Sequence, residues 1–285
     1  MKITILIITR IVKKLMRKIL PEKLLTPLVE INGKKNEWRY KKRRGEKGVL
    51  CLCCGKTFGS FMDFDIGAVY DAERYAKTYR NKICPYCGSF PRHRIICYYF
   101  NKNKTALPEK GIVMFGAERS IKKWFDRNGC RYTTVDLFDR TADVKVDIQN
   151  MQFPDKTWGL IICNHVLEHV PDYKIALREL KRVLKDDGIL ELTVPTDKNL
   201  ETVYEDSSIV KKKDKIKHFG QSDHVRMFGN DFEKILIESG FSVEIVNGDN
   251  LPDETAGIVG PADYDDNRVY ICRTGNIQND GGSRC

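Results

Sequence analysis

Residues 111–195 read GIVMFGAERSIKKWFDRNGCRYTTVDLFDRTADVKVDIQNMQFPDKTWGLIICNHVLEHVPDYKIALRELKRVLKDDGILELTVP and decide the fold of this chain. Short apolar runs alternate along this stretch with segments whose apolar residues recur at helical spacing. The alternation is typical of β-α-β units and predicts a parallel sheet with helices on both faces. Because ligands of such sheets bind beyond the carboxyl ends of the strands, the residues directly after each apolar run are the candidates for a site.

Those residues are unusually polar: Gly116, Glu118 and Arg119 follow the first run, Asp136 and Asp139 the second, Asp147 the third, and Asn164 and His165 the fourth. With the motifs D-x-x-W-x-L-I-x-x-x-H-V-L-E-H-V and L-x-E-x-x-R-V-L-K-x-x-G behind it, the set resembles class I S-adenosylmethionine-dependent methyltransferases of the type 11 group. The resemblance covers about residues 111–246. It implies an α/β fold, a Rossmann-like seven-stranded methyltransferase sheet, and S-adenosylmethionine as cofactor.

The resemblance also assigns roles to the acidic residues. Asp136 would accept both ribose hydroxyls of the cofactor, since a carboxylate has two acceptor oxygens. Alternatively, Asp136 only stabilises a turn or caps a helix. Asp147 would receive the adenine amino group, with Ile148 against the ring.

The first turn departs from the family pattern. Of three glycines only Gly116 is present, and Met114 stands where an acidic residue is expected. Glu118 is the residue that would supply the carboxylate instead, while Ala117 keeps the loop small.

The end of the fourth run would border the methionine end of the cofactor and the acceptor, which places Asn164 against the cofactor. His165 has a side-chain type that takes up protons near neutral pH, so it is a candidate general base. The alternative is that His165 only shapes the pocket through a hydrogen bond. Glu168 and His169, one turn further, are interpreted as residues that support it.

An insert at residues 196–229 interrupts the β-α pattern and holds two of the five histidines. Its segment QSDHVRMF, residues 221–228, mixes acid, imidazole and guanidinium with aromatics, as an active-site lid does. Zinc-ribbon relatives have a similar stretch. We therefore expect Asp223, His224 and Arg226 on the acceptor side of the pocket.

Four of the ten cysteines form two C-x-x-C pairs, Cys51 with Cys54 and Cys84 with Cys87. Four thiolates suit tetrahedral Zn²⁺, and a closed shell of four protein ligands predicts a structural rather than a catalytic metal. Cys53 is an alternative ligand in the first pair. Paired cysteines without an apparent secretory signal also predict a reduced, cytoplasmic setting.

Arg92, His93 and Arg94 follow the second cysteine pair. Two interpretations are open: these residues face an anionic substrate, or they begin an ordinary charged helix. The second is favoured.

The positive charge is concentrated at the N-terminus. Residues 1–50 carry fifteen Lys and Arg against four Glu, a net charge of +11, whereas residues 51–285 carry 34 basic against 35 acidic residues, a net charge of −1. Residues 1–20 read as a basic amphipathic helix that either lies on an anionic membrane, at its inner surface, or packs on its own domain. The apolar run at residues 3–8 is too short to span a bilayer.

The predicted organisation has four parts: a basic arm and linker at 1–48, a zinc ribbon at 49–100, a methyltransferase domain at 101–273 that contains the insert, and a disordered tail at 274–285. The favoured function is methyl transfer to a small-molecule or carbohydrate-like acceptor. Two alternatives stay open: an RNA methyltransferase with an N-terminal zinc finger, and a non-enzymatic binding protein with a vestigial cofactor pocket. The sequence leaves the oligomeric state open.

Overall fold

The computed structural model describes residues 32–42, 48–65, 78–248 and 268–274. The described strands are β1 (Val49–Leu50), β2 (Thr57–Phe58), β3 (Met62–Asp65), β4 (Thr78–Ile83), β5 (Ile112–Phe115), β6 (Thr133–Asp136), β7 (Val144–Lys145), β8 (Trp158–Asn164), β9 (Leu184–Thr193), β10 (Tyr204–Glu205), β11 (Arg226–Met227), β12 (Ser242–Val246) and β13 (Val269–Arg273). The helices that position the site are α1 (Pro91–Lys102), α2 (Arg119–Arg127), α3 (Tyr173–Val183), α4 (Lys212–Phe219) and α5 (Phe232–Glu238).

Seven of the strands form one sheet in the order β12-β13-β9-β8-β5-β6-β7. Strand β13 is antiparallel to both of its neighbours, and the other pairs are parallel. The chain runs outward from β5 through β6 and β7 and then restarts at β8 on the other side of β5. A crevice therefore opens at the carboxyl ends of β5 and β8, where the strand order reverses. This topology confirms the predicted Rossmann-like seven-stranded sheet.

The central strands are buried on both faces, as their continuous apolar sequences predict. Because successive side chains of a strand point to opposite faces, Ile112 and Met114 enter one core cluster and Val113 and Phe115 the other. The first cluster also contains the four paired cysteines and the apolar face of α1. The cysteine module and one face of the sheet thus share a single core.

Helix α1 joins the two parts of the chain. The ring of Phe100 lies 5.5 Å from that of Trp124 and 5.6 Å from that of Phe125, both on α2. The indole Nε1 of Trp124 donates a hydrogen bond to Asn101 Oδ1 at 3.1 Å. The predicted boundary between residues 100 and 101 falls inside this helix.

Helix α3 begins where its cap predicts. Asp172 Oδ1 accepts hydrogen bonds from the backbone N–H groups of Lys174 and Ile175 at 2.9 and 3.1 Å. The helix ends before Gly188, because Leu184 is already extended (φ −77°, ψ 136°) and pairs with Trp158. Gly188 lies within β9.

The predicted N-terminal linker is partly ordered, since residues 32–39 are helical. Glu37 forms an ion pair with Lys56, and Gly59 N–H donates to the Tyr40 carbonyl at 2.9 Å. The amphipathic segment 1–20 lies outside the described residues, as does the predicted tail beyond residue 274. Within the described ranges, no helix combines the length and the apolarity needed to cross a membrane.

Candidate active site

The turn after β5 keeps the backbone open at the centre of the crevice. Gly116 adopts φ +55°, a left-handed conformation that side chains rarely tolerate. A Cβ added there would lie 3.4 Å from Val166 Cγ2 and 3.8 Å from the Asn164 carbonyl oxygen. The half-buried Ala117 follows. The turn therefore leaves room for a ligand to approach the main chain.

Glu118 ends this turn, and helix α1 neutralises it. Arg92 Nη2 donates to Glu118 Oε1 at 2.8 Å, and His93 Nε2 lies 2.8 Å from Oε2. Burial alone would raise the pKa of the Glu118 carboxyl. The charge of Arg92, together with the nearby His93 imidazole, outweighs burial and holds this pKa well below its ordinary value. Glu118 is thus ionised at neutral pH.

The protonation state of His93 follows from its hydrogen bonds. The Phe90 backbone N–H donates to His93 Nδ1 at 2.9 Å, so Nδ1 carries no proton and Nε2 keeps the one that faces Glu118. Ser120 Oγ also lies 2.9 Å from Nδ1. Burial lowers the pKa of His93 to about 4, although Glu118 opposes this shift. Residues 92 and 93 are therefore more than a charged helix start: they hold an internal carboxylate beside the turn at Gly116.

A second buried carboxyl, which the sequence analysis missed, lies on β9. Glu191 Oε2 accepts a hydrogen bond from Asn164 Nδ2 at 2.9 Å, and Asn164 Oδ1 accepts one from Thr193 Oγ1 at 2.6 Å. Burial raises the pKa of Glu191 to about 8, against the effect of the Asn164 hydrogen bond. Glu191 is therefore largely protonated at pH 7. A single acid inside the apolar run ILELTV was the signal that could have found it.

The two aspartates expected to bind the cofactor lie at the ends of neighbouring strands. Asp136 is the last residue of β6, and its Oδ1 accepts from the N–H groups of Phe138 and Asp139 at 2.7 and 2.8 Å. Asp147 follows β7, and its Oδ1 accepts from Gln149 N–H at 2.9 Å. These bonds fix each side chain through Oδ1 and leave Oδ2 as the oxygen for a ligand. Ile148 is buried beside Asp147.

His165 begins the loop after β8 in a strained conformation. Its φ of 53° is uncommon for a residue other than glycine. Its backbone N–H donates to the Thr193 carbonyl at 2.9 Å, and its Nδ1 lies 3.0 Å from Glu168 Oε1. The Glu168 carboxylate fixes the ring as the predicted supporting residue would.

The insert closes against this loop. Val225 N–H donates to the Glu168 carbonyl at 2.9 Å, and Asp197 N–H donates to the Phe228 carbonyl at 2.9 Å. Strand β10 pairs with β11 inside the insert. The segment 221–228 therefore lies beside the end of β8, on the side where an acceptor was expected.

Arg226 does not present its guanidinium to this side. The residue is 2% exposed, and its guanidinium donates hydrogen bonds to three carbonyl oxygens of the loop, on Leu167, Val170 and Pro171. It also donates to the Glu205 carboxylate. Its contacts hold the loop in place, and the expected acceptor-side role of Arg226 stays a prediction. Asp223 is exposed and lies 3.6 Å from His169 Nδ1. His224 is buried, with Nδ1 2.8 Å from the Phe219 carbonyl oxygen.

The four paired cysteines converge as predicted. The Sγ atoms of Cys51 and Cys87 are 3.7 Å apart, and those of Cys54 and Cys84 are 3.8 Å apart. A tetrahedron with Zn–S bonds of about 2.3 Å has edges of about 3.8 Å, so the donors fit Zn²⁺. Cys53 lies outside this cluster, with its Sγ 3.3 Å from that of Cys97.

A buried cation supports the cysteine cluster. Arg94 donates to the carbonyls of Ser89 and Lys82, each at 2.7 Å, and to Ser89 Oγ at 3.1 Å. Four thiolates around Zn²⁺ carry two negative charges in excess, and a buried charge requires compensation. With Zn²⁺ in the cluster, the Arg94 guanidinium would provide part of that compensation.

Comparison with known proteins gives a family match for the part of the chain that forms this crevice. Residues 108–245 match a family model described as a methyltransferase domain. Among curated proteins, the uncharacterized protein MJ0638 of Methanocaldococcus jannaschii is 39% identical over 75 residues, which cover 26% of this chain and 33% of that protein. The match thus spans about a third of that relative's length.

Two solved structures illustrate the likeness. One is 1,6-didemethyltoxoflavin-N1-methyltransferase of Burkholderia thailandensis with bound 1,6-didemethyltoxoflavin and S-adenosylhomocysteine, at 15% identity and a TM-score of 0.41 over 65% of this chain and 77% of that chain. The other is a possible histamine N-methyltransferase of Thermotoga maritima, at 16% identity and a TM-score of 0.40 over 65% of this chain and 99% of that chain.

The buried imidazole of His93 predicts a specific acid sensitivity. Its pKa in the folded protein is about 4, below the ordinary value of about 6.5, so unfolding takes up a proton between these pH values. The stabilisation is complete above pH 6.5 and is lost as the pH falls towards 4. Between pH 6 and 5, the free energy of unfolding should fall faster in wild type than in His93→Gln. The difference between the two slopes should be about 1 kcal/mol per pH unit. Urea unfolding across this range measures both slopes, and parallel slopes would contradict the assignment.

Proposed function

We propose that the chain is an S-adenosylmethionine-dependent methyltransferase that acts on a small-molecule or carbohydrate-like acceptor, since residues 108–245 match a methyltransferase domain. The observation that carries the proposal is the set of polar groups around the switch point between β5 and β8. An open glycine turn, two strand-end aspartates and a strained histidine all lie at the carboxyl edge of the sheet.

The residues fit the cofactor. The turn at Gly116 leaves its main chain accessible, and Asp136 has one carboxylate oxygen that makes no turn hydrogen bond. Asp147 and the buried Ile148 would hold the adenine, and Asn164 would lie near the methionine end. When bound, S-adenosylmethionine supplies a methyl group on a sulfonium, which is a good leaving group. The task left to the protein is to align the acceptor and exclude water.

His165 is the best-placed candidate for a proton acceptor. If Nδ1 donates to Glu168 Oε1, Nε2 carries a free lone pair, and this nitrogen has no hydrogen-bond partner among the described residues. Such a base is needed only for an acceptor that must lose a proton. His224 has a similar orientation, with Nδ1 towards the Phe219 carbonyl.

The small acceptor is favoured over RNA by the distribution of charge. Binding to RNA depends on many contacts from Lys and Arg to phosphates. Residues 51–285, which contain the whole crevice, carry a net charge of −1. RNA stays the second candidate because the N-terminal 50 residues carry a net charge of +11.

We also propose that the four-cysteine cluster holds a structural Zn²⁺, and that the protein works in the cytoplasm, with residues 1–20 on an anionic membrane surface. The convergence of the four buried cysteines supports the first proposal, and the C-x-x-C pairs, which are typical of intracellular metal sites, support the second. The basic amphipathic pattern of residues 1–20 supports the third.

Removing one acceptor oxygen from Asp136 should weaken cofactor binding and leave the fold intact. Asp136→Asn keeps an Oδ1 for the Phe138 and Asp139 N–H groups but replaces Oδ2 by an amide nitrogen. Calorimetric titration with S-adenosylhomocysteine should show a loss of about 1.5–3 kcal/mol, the usual range for a hydrogen bond to a charged group. Asp155→Asn, at the opposite edge of the sheet, is the control. An unchanged affinity in Asp136→Asn would remove this residue from the site.

The zinc proposal predicts loss of metal and of stability together. Cys84→Ser should lower the zinc content of the purified protein and its melting temperature. Cys130→Ser, which changes a half-buried cysteine outside the cluster, should change neither. Elemental analysis and thermal unfolding measure the two effects. A Cys84→Ser protein that melts like wild type would show that the cluster holds no structural metal.

Binding to RNA separates the two acceptor classes. If the acceptor is small, short double-stranded and single-stranded RNA should bind only non-specifically, with Kd above about 1 μM at physiological salt. If RNA is the substrate, binding should be tight, and neutralising Lys41, Lys42, Arg43 and Arg44 should flatten its salt dependence by nearly one unit per lost phosphate contact. Fluorescence anisotropy at several salt concentrations decides between them.

The same titration with anionic vesicles tests residues 1–20, whose deletion should abolish vesicle binding.

A further inference from the structure

Three metal-ligating side chains converge between the loop after β8 and the insert. One ligand atom each from Glu168, His169 and His224 lies within 4.8 Å of the others. Glu168 is 0% exposed and His224 is 2% exposed, whereas the side chain of His169 is 35% exposed. The two imidazole rings meet edge to face, with centroids 4.7 Å apart. The cluster is therefore largely removed from water but open on one side.

The orientation of His224 is that of a metal ligand. Its Nδ1 lies 2.8 Å from the Phe219 carbonyl oxygen, so Nδ1 carries the proton and donates. Its Nε2 is then a free lone pair, and this buried atom has no hydrogen-bond partner among the described residues. Metal-bound histidines generally donate their other N–H to a carbonyl or a carboxylate, which fixes the tautomer.

His169 has the same arrangement with a different partner. Its Nδ1 lies 3.6 Å from Asp223 Oδ2, and its Nε2 lies 4.0 Å from Glu168 Oε1. A carboxylate behind one nitrogen and a ligand position at the other is a recurring feature of metal sites. The outer nitrogen of His224 is thus hydrogen-bonded, and that of His169 has a carboxylate 3.6 Å away.

Glu168 is a buried carboxylate whose ion-pair partners, in the part of the chain that the structure describes, are histidines. The Oε2 atom is buried and has no hydrogen-bond partner there. A buried carboxylate without a compensating cation is costly. A divalent ion at this position would supply that charge.

We propose that Glu168, His169 and His224 bind a divalent transition-metal ion. Two imidazoles and one carboxylate suit Zn²⁺, Fe²⁺ or Co²⁺ and leave coordination positions open. The cysteine cluster, in contrast, has a closed shell of four ligands. His165 is not one of the three ligands: its Nδ1 lies 3.0 Å from Glu168 Oε1, and its Nε2 stays available as a base.

The position of the proposed metal narrows the class of acceptor that the site would take. This inference rests on the proposed methyl transfer. The ion would lie at the end of β8, next to the acceptor side of the crevice. A metal with open positions binds hydroxyl oxygens and lowers their pKa. The site therefore takes acceptors that offer a hydroxyl or phenol oxygen.

Titration with Co²⁺ tests the metal site independently of activity. The full-length protein, with Zn²⁺ in its cysteine cluster, should bind one further equivalent of Co²⁺ whose absorption spectrum lacks thiolate charge-transfer bands. His169→Ala should weaken this binding at least tenfold. Asp223→Ala, which removes only the partner of His169, should weaken it by about 10- to 100-fold. His218→Ala, outside the cluster, should bind as wild type does.

Three results would overturn the assignment. The first is that no second equivalent of Co²⁺ binds, and the second is that this equivalent shows thiolate charge-transfer bands. The third is that wild type, His169→Ala and Asp223→Ala bind Co²⁺ with equal affinity. His169 and Asp223 are partly exposed, so their variants should fold even where Glu168→Gln does not. Affinity for S-adenosylhomocysteine is measured in parallel. Loss of Co²⁺ binding with unchanged cofactor affinity separates failure of the metal site from failure of the proposed methyl transfer.

Discussion

The ionised carboxylate of Glu118 is the constraint on which the arrangement of the crevice depends. It lies in the turn that would receive the cofactor, and Arg92 and His93 on α1 hold it in place. One residue further on, Arg94 donates hydrogen bonds to the carbonyls of Ser89 and Lys82, which flank the second cysteine pair. A single helical turn therefore connects the cysteine cluster to the cofactor turn. The predicted zinc module is best understood as a support for that turn.

Burial has opposite outcomes for the two carboxyls near the switch point. Glu118 stays ionised because Arg92 and His93 outweigh the cost of burial. Glu191 has a neutral amide as its partner, so burial raises its pKa to about 8 and the group is largely protonated at pH 7. Of the two carboxyls, only Glu118 is therefore charged at neutral pH, and Arg92 on α1 balances that charge.

Local sequence patterns predict the elements well and the partners of buried charges poorly. The strand Ile112–Phe115, the cap at Asp172 and the four-cysteine cluster follow from periodicity, capping chemistry and spacing. The contacts of Arg226 were missed because its carbonyl partners lie 55 to 59 residues earlier in the chain. No local pattern encodes such a contact, since it exists only once the insert has packed on the loop after β8. The link between Arg92 and Glu118 was missed for the same reason.

The link between the cysteine module and the cofactor turn is tested most directly by replacing its charged contact. Calorimetric titration of S-adenosylhomocysteine is carried out on the zinc-loaded wild type and on Arg92→Met, which keeps the length of the side chain but not its charge. One ligand should bind per wild-type chain, and Arg92→Met should bind at least about tenfold more weakly, a loss of about 1.4 kcal/mol, while it keeps its fold and its zinc. Equal affinities, or no saturable binding to wild type, would contradict the account.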